Sequence, residues 1–499
     1  MPLMTAKQYI ESLRRLKLVI YLLGEKVTDW VDNPIIRPSI NALAMTYKVA
    51  HEPKTKALAT TKSLLTGRIV NRYNSLFQSK EDMVAKLKLQ RELGRRTACC
   101  FQRCVGLDGI NAVFSTTYEI DEKYGTTYHQ RFRQWLAGVQ DKDQVIAGAM
   151  TDVKGERGLA PSEQSDPDMY VHVTERKKDG IVVRGAKANI TGTVNSHWML
   201  IMPTLRMTEK DKDYAVCCAI PTDAPGVTHI YGRQSCDTRK LEEGDIDVGN
   251  YAFGGQETLT VLEDVFVPWE NVFMCGEYDF SSTLVERFAA YHRQSYGGCK
   301  PGIGDVLIGA AASMADYQGT RKAAHVKDKL AEMVHLAETL HACGLASAYE
   351  GWQTKAGNWQ ANILLANVCK LNTTRYPYEL CRLAEDIAGG LLVTCPSEKD
   401  LRSPEIGKLV DKYLKSNPNV PTEDRMRMLS LIHAMTFGTV APSYRTESLH
   451  GAGSPQAQKI MIERESDMPS KQACARCIAG IAEREDVYAE PSKTDDTGG

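Results

Sequence analysis

Apolar positions repeat with two different periods along the chain, and the change of period divides it. Val326, Leu330, Met333, Ala337 and Leu340 follow a 4, 3, 4, 3 spacing, which predicts a long helix with one buried face. Helical character also runs through residues 1–147, in stretches such as SKEDMVAKLKLQRELGRRTACCFQRC and YHQRFRQWLAGVQ, where strand signals are scarce. Between 148 and 278 short β-branched or aromatic runs take over: MYVHVTER, GIVVRGAKA, HWMLIMPT, DYAVCCAIPT and ETLTVLEDVFVP, separated by Gly, Pro, Asp and Asn turns. Helical patterning returns over 279–480, and residues 481–499 read as a frayed polar tail. The predicted architecture is α+β: an N-terminal helical domain, a middle β domain built as a small barrel or sandwich, and a C-terminal helical bundle.

Length and charge narrow the class without identifying it. At 499 residues the chain exceeds what one core usually serves. Lys plus Arg total 61 and Asp plus Glu 62, with no long block of one sign before the acidic C-terminal end, so neither nucleic acid nor an anionic membrane surface is an expected partner. The N-terminus lacks the apolar core and cleavage site of a signal peptide, and no apolar run is long enough to span a bilayer, so a soluble cytoplasmic protein is expected. In that reducing compartment the 14 cysteines read as buried thiols or metal ligands rather than disulfides.

The stretch YHRQSYGGCK places His292, Tyr296, Cys299 and Lys300 at offsets that share one helical face. In ACCFQRCVG, Cys100 and Cys104 lie one turn apart if the segment is helical, with Cys99 about a hundred degrees away. Such a pair alone is more often core packing than a metal site. Adding Cys299 and His292 makes four soft or borderline ligands, enough for zinc or an iron-sulfur cluster if the two segments meet. Cys474 and Cys477, in CARC, lack a surrounding βαβ pattern and read as structural, and scattered cysteines such as Cys236 read as small hydrophobes.

Three further motifs carry weaker signals. GAMTDVKGERGLAPS offers a Gly-containing loop whose backbone N–H groups suit phosphate or flavin oxygens, and RGAKANITG comes next with Thr191 beside a glycine. DIAGGL sets Gly389 and Gly390 in a helical region, where close approach of a ligand or of another helix would justify their cost. Glu257, Glu447 and His450 stand near Gly-rich turns, although a lone carboxylate is usually a solvated surface group.

With CFQRCVG, NAVFSTTYEID, GAMTD, RGLAPS, YGRQSCDTRK, YHRQSYGGCK and RTESLHGAGSPQAQ in view, the chain closely resembles the 4-hydroxybutyryl-CoA dehydratases, radical flavoenzymes that also isomerise vinylacetyl-CoA. These belong to a wider group that includes the flavin-dependent 4-hydroxyphenylacetate 3-hydroxylases and shares the acyl-CoA dehydrogenase architecture. The resemblance implies a homotetramer, a dimer of dimers, with one FAD and one [4Fe-4S] cluster per subunit and an acyl-CoA substrate. It assigns the cluster to Cys100, Cys104, His292 and Cys299. It assigns the flavin to Met150, Thr151, Lys154, Arg157 and Thr191, with Asp386, Gly389 and Gly390 approaching the FAD nucleotide of a neighbouring subunit. His292 is the implied base after releasing iron. Tyr296, Lys300, Glu257 and Glu447 handle protons or orient the substrate, and Gln102 borders the same cavity.

The implied chemistry accounts for two cofactors: the β-hydrogen of 4-hydroxybutyryl-CoA is unactivated, and one-electron oxidation of the deprotonated thioester acidifies it before hydroxide leaves to give crotonyl-CoA. On this reading Gly297 and Gly298 let the cluster and the flavin approach the backbone. Two departures stand out. Cys99 occupies a position where serine is expected, which leaves a ligand exchange between Cys99 and Cys100 open, and Pro301 is expected to end the helix at Lys300. Two rival readings are a flavin monooxygenase of a phenolic substrate and a non-catalytic flavin and cluster redox sensor.

Overall fold

Strand-forming runs between residues 146 and 275 assemble, with two short N-terminal strands, into two sheets. The computed structural model describes residues 3–232, 244–246, 252–438 and 440–481. The sheet strands are β1 (Ile20–Leu22), β2 (Glu25–Val27), β3 (Ile146–Ala149), β4 (His172–Arg176), β5 (Gly180–Thr191), β6 (Trp198–Ile201), β7 (Val216–Pro221), β8 (Val227–Tyr231), β9 (Glu257–Pro268) and β10 (Val272–Cys275). One sheet has the order β2-β1-β8-β9-β5-β4 and the other β10-β7-β6-β3. The expected barrel is therefore a pair of open sheets among the described residues. The helical N-terminal reading also needs correction: β1 pairs in parallel with β8, setting Ile20 opposite His229, a contact between distant segments that local patterning does not reveal. Cys236 and residues 482–499 lie outside the described residues.

The β5–β9 pairing brings two candidate site residues together. Its register sets Glu257 directly opposite Thr191, and β9 then breaks step between Thr258 and Thr260 and between Leu262 and Val265. Such bulges bend a strand locally and re-aim the side chains beside them.

Seven helices frame the site: α1 (Lys80–Thr97), α2 (Cys104–Tyr124), α3 (Ser281–Tyr317), α4 (Ala324–Tyr349), α5 (Ile363–Thr373), α6 (Tyr376–Ala388) and the single turn α7 (Glu447–His450). The predicted stripe on α4 is buried, and Val326, Leu330, Met333 and Ala337 share an apolar cluster with Ile303, Leu307 and Met314 of α3. No helix of the described residues is long and apolar enough to cross a membrane.

Helix α3 runs through Pro301 instead of ending at Lys300. Proline has no N–H for the carbonyl four residues back. That carbonyl, Gly297 O, lies 2.9 Å from His341 Nδ1 of α4, which replaces the missing donor. The glycines before it also serve differently from expectation. A Cβ on Gly297 would stand 2.7 Å from Gly344 Cα, and one on Gly298 2.8 Å from Leu87 O. They admit α4 and α1 to close contact with α3, not a cofactor to the backbone.

Candidate functional site

The cysteine segment is not helical as its spacing predicted. Helix α1 ends in a left-handed turn at Ala98 (φ 50°), Gln102 is also left-handed (φ 62°), and α2 begins only at Cys104. Cys100 thus stands on a loop and Cys104 on the first turn of a helix, while Cys299 comes from α3. Burial pushes the Cys100 and Cys104 thiols well above the usual range, and the two are raised further by Cys299. Cys299 itself is pushed up to about 11, chiefly by burial. Cys99, by contrast, packs in the apolar cluster of α3 and α4.

Beside them the His292 ring is held from one side. Its Nδ1 lies 2.9 Å from Asp108 Oδ2, which also accepts from Ser295 Oγ at 2.9 Å, and Lys86 Nζ stands 3.2 Å from Asp108 Oδ1. Burial alone would raise the Asp108 carboxyl, but Lys86, His292 and Ser295 hold it below the usual range. A carboxylate on one ring nitrogen fixes the tautomer and turns the other nitrogen toward a ligand. Among the described residues, no group of three or more His, Cys, Asp and Glu side chains is arranged to hold a single metal ion.

About two turns along α3 from His292, Lys300 Nζ lies 2.8 Å from Glu447 Oε2 and donates to Ser443 O at 2.6 Å. The Tyr296 hydroxyl stands 3.3 Å from Glu447 Oε1. Glu447 comes directly after a π-turn at Pro442–Thr446, a rare geometry concentrated at functional sites. Lys370 of α5 donates to Ser448 O and lies 4.8 Å from the Tyr296 ring centroid. Burial opposes the Lys300 charge, yet Glu447 and the thiols hold its pKa above the ordinary lysine value. Lys370, buried and facing Lys300, is lowered to about 7. Glu257 is raised to about 7, by burial first and then by Glu447.

The two flavin motifs form one unit. Lys187 Nζ donates to Met150 O and Met202 O, each at 2.8 Å, and lies 2.8 Å from Asp152 Oδ1, while Ala188 N donates to Thr151 O. Thr191 Oγ1 reaches Glu257 Oε1 at 3.5 Å. Lys154 has a left-handed backbone (φ 78°) and donates from its N–H to Met169 O, while Arg157 is exposed. The Gln102 carboxamide ties the cysteine loop to three other segments, donating to Ser39 O and Gly254 O and accepting from Asn195 Nδ2.

Within the chain, Asp386, Gly389 and Gly390 do not join this group. Asp386 pairs with Lys329 at 2.6 Å. Gly389 caps the end of α6 at φ 77° and so avoids the cost of a helix interior, and a Cβ on Gly389 or Gly390 would meet nothing within 4 Å. Cys474 is exposed on a C-terminal helix, Met468–Ile478. Three contributors escaped the sequence reading: Asp108, Lys86 and Lys370. The available signal was a charged residue inside an otherwise apolar helical run, clearest for Lys370 in ILLANVCKLNT.

Residues 5–274 match the family described as 4-hydroxyphenylacetate 3-hydroxylase N terminal, and residues 281–480 its C-terminal counterpart. The chain is 59% identical over 488 residues to a 4-hydroxybutyryl-CoA dehydratase/vinylacetyl-CoA-Δ-isomerase of Clostridium aminobutyricum, covering 96% of this chain and 100% of that one. It is 26% identical over 443 residues to a 4-hydroxyphenylacetate 3-monooxygenase oxygenase component of Thermus thermophilus, covering 87% and 88%. The solved structure of an oxygen-tolerant archaeal 4-hydroxybutyryl-CoA dehydratase from N. maritimus is 55% identical, with a TM-score of 0.94 over 98% of this chain and 97% of that one. At 22% identity, the oxygenase component of 4-hydroxyphenylacetate 3-monooxygenase complexed with FAD has a TM-score of 0.83 over 97% and 100%, a likeness of fold alone.

Proposed function

The chain belongs to the 4-hydroxyphenylacetate 3-hydroxylase family, and from that premise we propose that it dehydrates 4-hydroxybutyryl-CoA to crotonyl-CoA and isomerises vinylacetyl-CoA to the same product. The observation that carries this reading is the closeness of Cys100, Cys104 and Cys299 to one another, with Asp108, the partner of His292, facing Cys104 and Cys299, beside the Lys300–Glu447–Tyr296 group. Three thiols brought together from the loop after α1, the first turn of α2 and helix α3 suit a metal centre, which draws off their protons on binding.

Three thiols and one imidazole nitrogen fit a [4Fe-4S] cluster, which takes one ligand at each iron. Cysteine thiolates are the usual ligands of such clusters, and histidine also serves in some. Met150, Thr151 and Thr191, tied together through Lys187, Ala188 and Glu257, suit the flavin of FAD, with Lys154 and Arg157 beyond them on the loop. When bound, the flavin supplies one-electron redox chemistry and the cluster a Lewis-acid iron.

The chain's own residues divide the remaining work. Asp108 keeps the proton of His292 on Nδ1, so that Nε2 is the nitrogen that serves as ligand or, once free, takes the α-proton. Glu257, with its carboxyl near 7, holds or releases a proton at neutral pH. Lys300 and Tyr296 fix both oxygens of Glu447 and so orient it toward the acyl chain. The open space around Gly389 and Gly390 suits an FAD nucleotide from a neighbouring subunit in a cytoplasmic homotetramer, a dimer of dimers. The proposed division of each subunit is 1–147, 148–278 and 279–480.

Anaerobic incubation with each thioester, with chromatography of the acyl-CoA products, tests the reading. Crotonyl-CoA from both substrates supports it. Protein that holds flavin and iron yet converts neither overturns it.

A further inference from the structure

Gln256 is 1% exposed, and among the described residues neither Nε2 nor Oε1 of its carboxamide has a hydrogen-bond partner. Native proteins leave few buried polar groups in that state, so an orphaned amide calls for a physical reason. Its place in the fold supplies one. The Gln256 carbonyl accepts from Gly192 N at 3.3 Å, next to Thr191, and the adjacent residue in the chain is Glu257. On the other side, a Cβ on Gly255 would stand 2.5 Å from Ser443 Oγ and 3.7 Å from Cys100 Cβ. Gln256 therefore sits where the cysteine loop, the Thr191 turn and the Glu447 segment converge.

Gln90 provides a contrast. Both ends of its amide are also unpaired, but its Oε1 lies 2.7 Å from where a Gly298 Cβ would stand, in the tight crossing of α1 and α3, which leaves no room for a ligand. Gln102, the other amide near the cysteine loop, is already committed to Ser39, Gly254 and Asn195. Among these three amides, only that of Gln256 is both unpaired and placed at the site.

Resting on the dehydratase reading above, we propose that Gln256 is a substrate-binding residue whose carboxamide hydrogen-bonds the 4-hydroxyl of the acyl chain. An amide carries one accepting oxygen and a donating nitrogen, and a hydroxyl both donates and accepts, whereas a thioester carbonyl only accepts. Vinylacetyl-CoA has no hydroxyl. The two substrates of one enzyme thus differ in whether they can pair this amide.

The test is Gln256→Leu, with the near-isosteric Gln256→Met as a second variant, in the flavin- and iron-loaded enzyme. The expected result is a KM for 4-hydroxybutyryl-CoA raised roughly 10- to 100-fold. Isomerisation of vinylacetyl-CoA should stay within about threefold of the parent, flavin content should be unchanged, and the Tm of substrate-free protein should hold or rise because the orphaned amide is gone. A lower Tm with both activities reduced assigns Gln256 to packing, and loss of flavin assigns it to the cofactor. Equal weakening of both substrates assigns it to the thioester, and an unchanged KM for 4-hydroxybutyryl-CoA leaves it no role in binding. Each of these overturns the proposal. Failure of the dehydratase reading is distinct, since parent enzyme would then convert neither substrate.

Discussion

His292 Nδ1 stands 2.9 Å from Asp108 Oδ2, and the other oxygen of that carboxylate lies 3.2 Å from Lys86 Nζ, with the Lys86 and Asp108 side chains fully buried. One carboxylate thus orients a candidate ligand and neutralises a cation inside the core. Removing one partner of a buried pair costs about 3–5 kcal/mol, because the remaining charge is stranded. Asp108→Leu is predicted to destabilise by that amount in denaturant titrations, and Lys86→Met added to it to restore most of the loss.

Glu257 carries a pH dependence whose sign is set by its environment. Its carboxyl is raised from 4.5 to about 7, so the folded protein binds more protons than the unfolded chain between those values. The stability this contributes is fully present below about pH 4.5 and is lost as pH rises through about 7, a span worth roughly 3 kcal/mol. Glu257→Gln should flatten the stability profile across that window, measured by thermal unfolding of metal-free protein from pH 5 to 8.

Pro301 and His341 form a coupled pair across two helices. His341→Ala strands Gly297 O and is predicted to cost about 1 kcal/mol in the parent chain. In a Pro301→Ala background the restored N–H serves that carbonyl, and the same change should cost less. A double-mutant cycle in unfolding free energy reads the difference.

What was legible in the sequence depended on distance along the chain. The α4 stripe and the β runs of the middle region are local patterns, and they fold where their periods put them. The helix through Pro301 was not legible, because the substitute donor for Gly297 O lies 44 residues from that carbonyl. Cys100 and Cys104 have helical spacing, but the left-handed cap at Ala98 takes the chain out of α1 before either thiol is reached. The clustering of Tyr296, Lys300 and Glu447 was expected only through resemblance. Their geometry shows why each is needed, since Glu447 engages both α3 side chains at once. The signal for Lys370 was local, a cation in the apolar run ILLANVCKLNT, whereas nothing local marks the Gln256 amide as buried.

Cys99 and Cys100 make a sharp test of the ligand set. Cys99 packs among Ile303, Leu307 and Tyr444, whereas Cys100 is coupled to Cys299, Lys300 and Glu447. Cys100→Ala is predicted to lose the iron, seen by iron analysis and visible absorption. Cys99→Ala is predicted to keep it, with a stability cost of about 1 kcal/mol for a small core truncation.

That these thiols and His292 serve a flavin-linked dehydration is tested most sharply in one anaerobic preparation analysed for iron, flavin and turnover together. The expected outcome is about four iron atoms and one flavin per chain, with crotonyl-CoA formed from both 4-hydroxybutyryl-CoA and vinylacetyl-CoA. The opposite outcome is flavin-loaded, iron-free protein that leaves both thioesters unchanged and hydroxylates a phenol when given reduced flavin and oxygen, and it would refute the dehydratase reading.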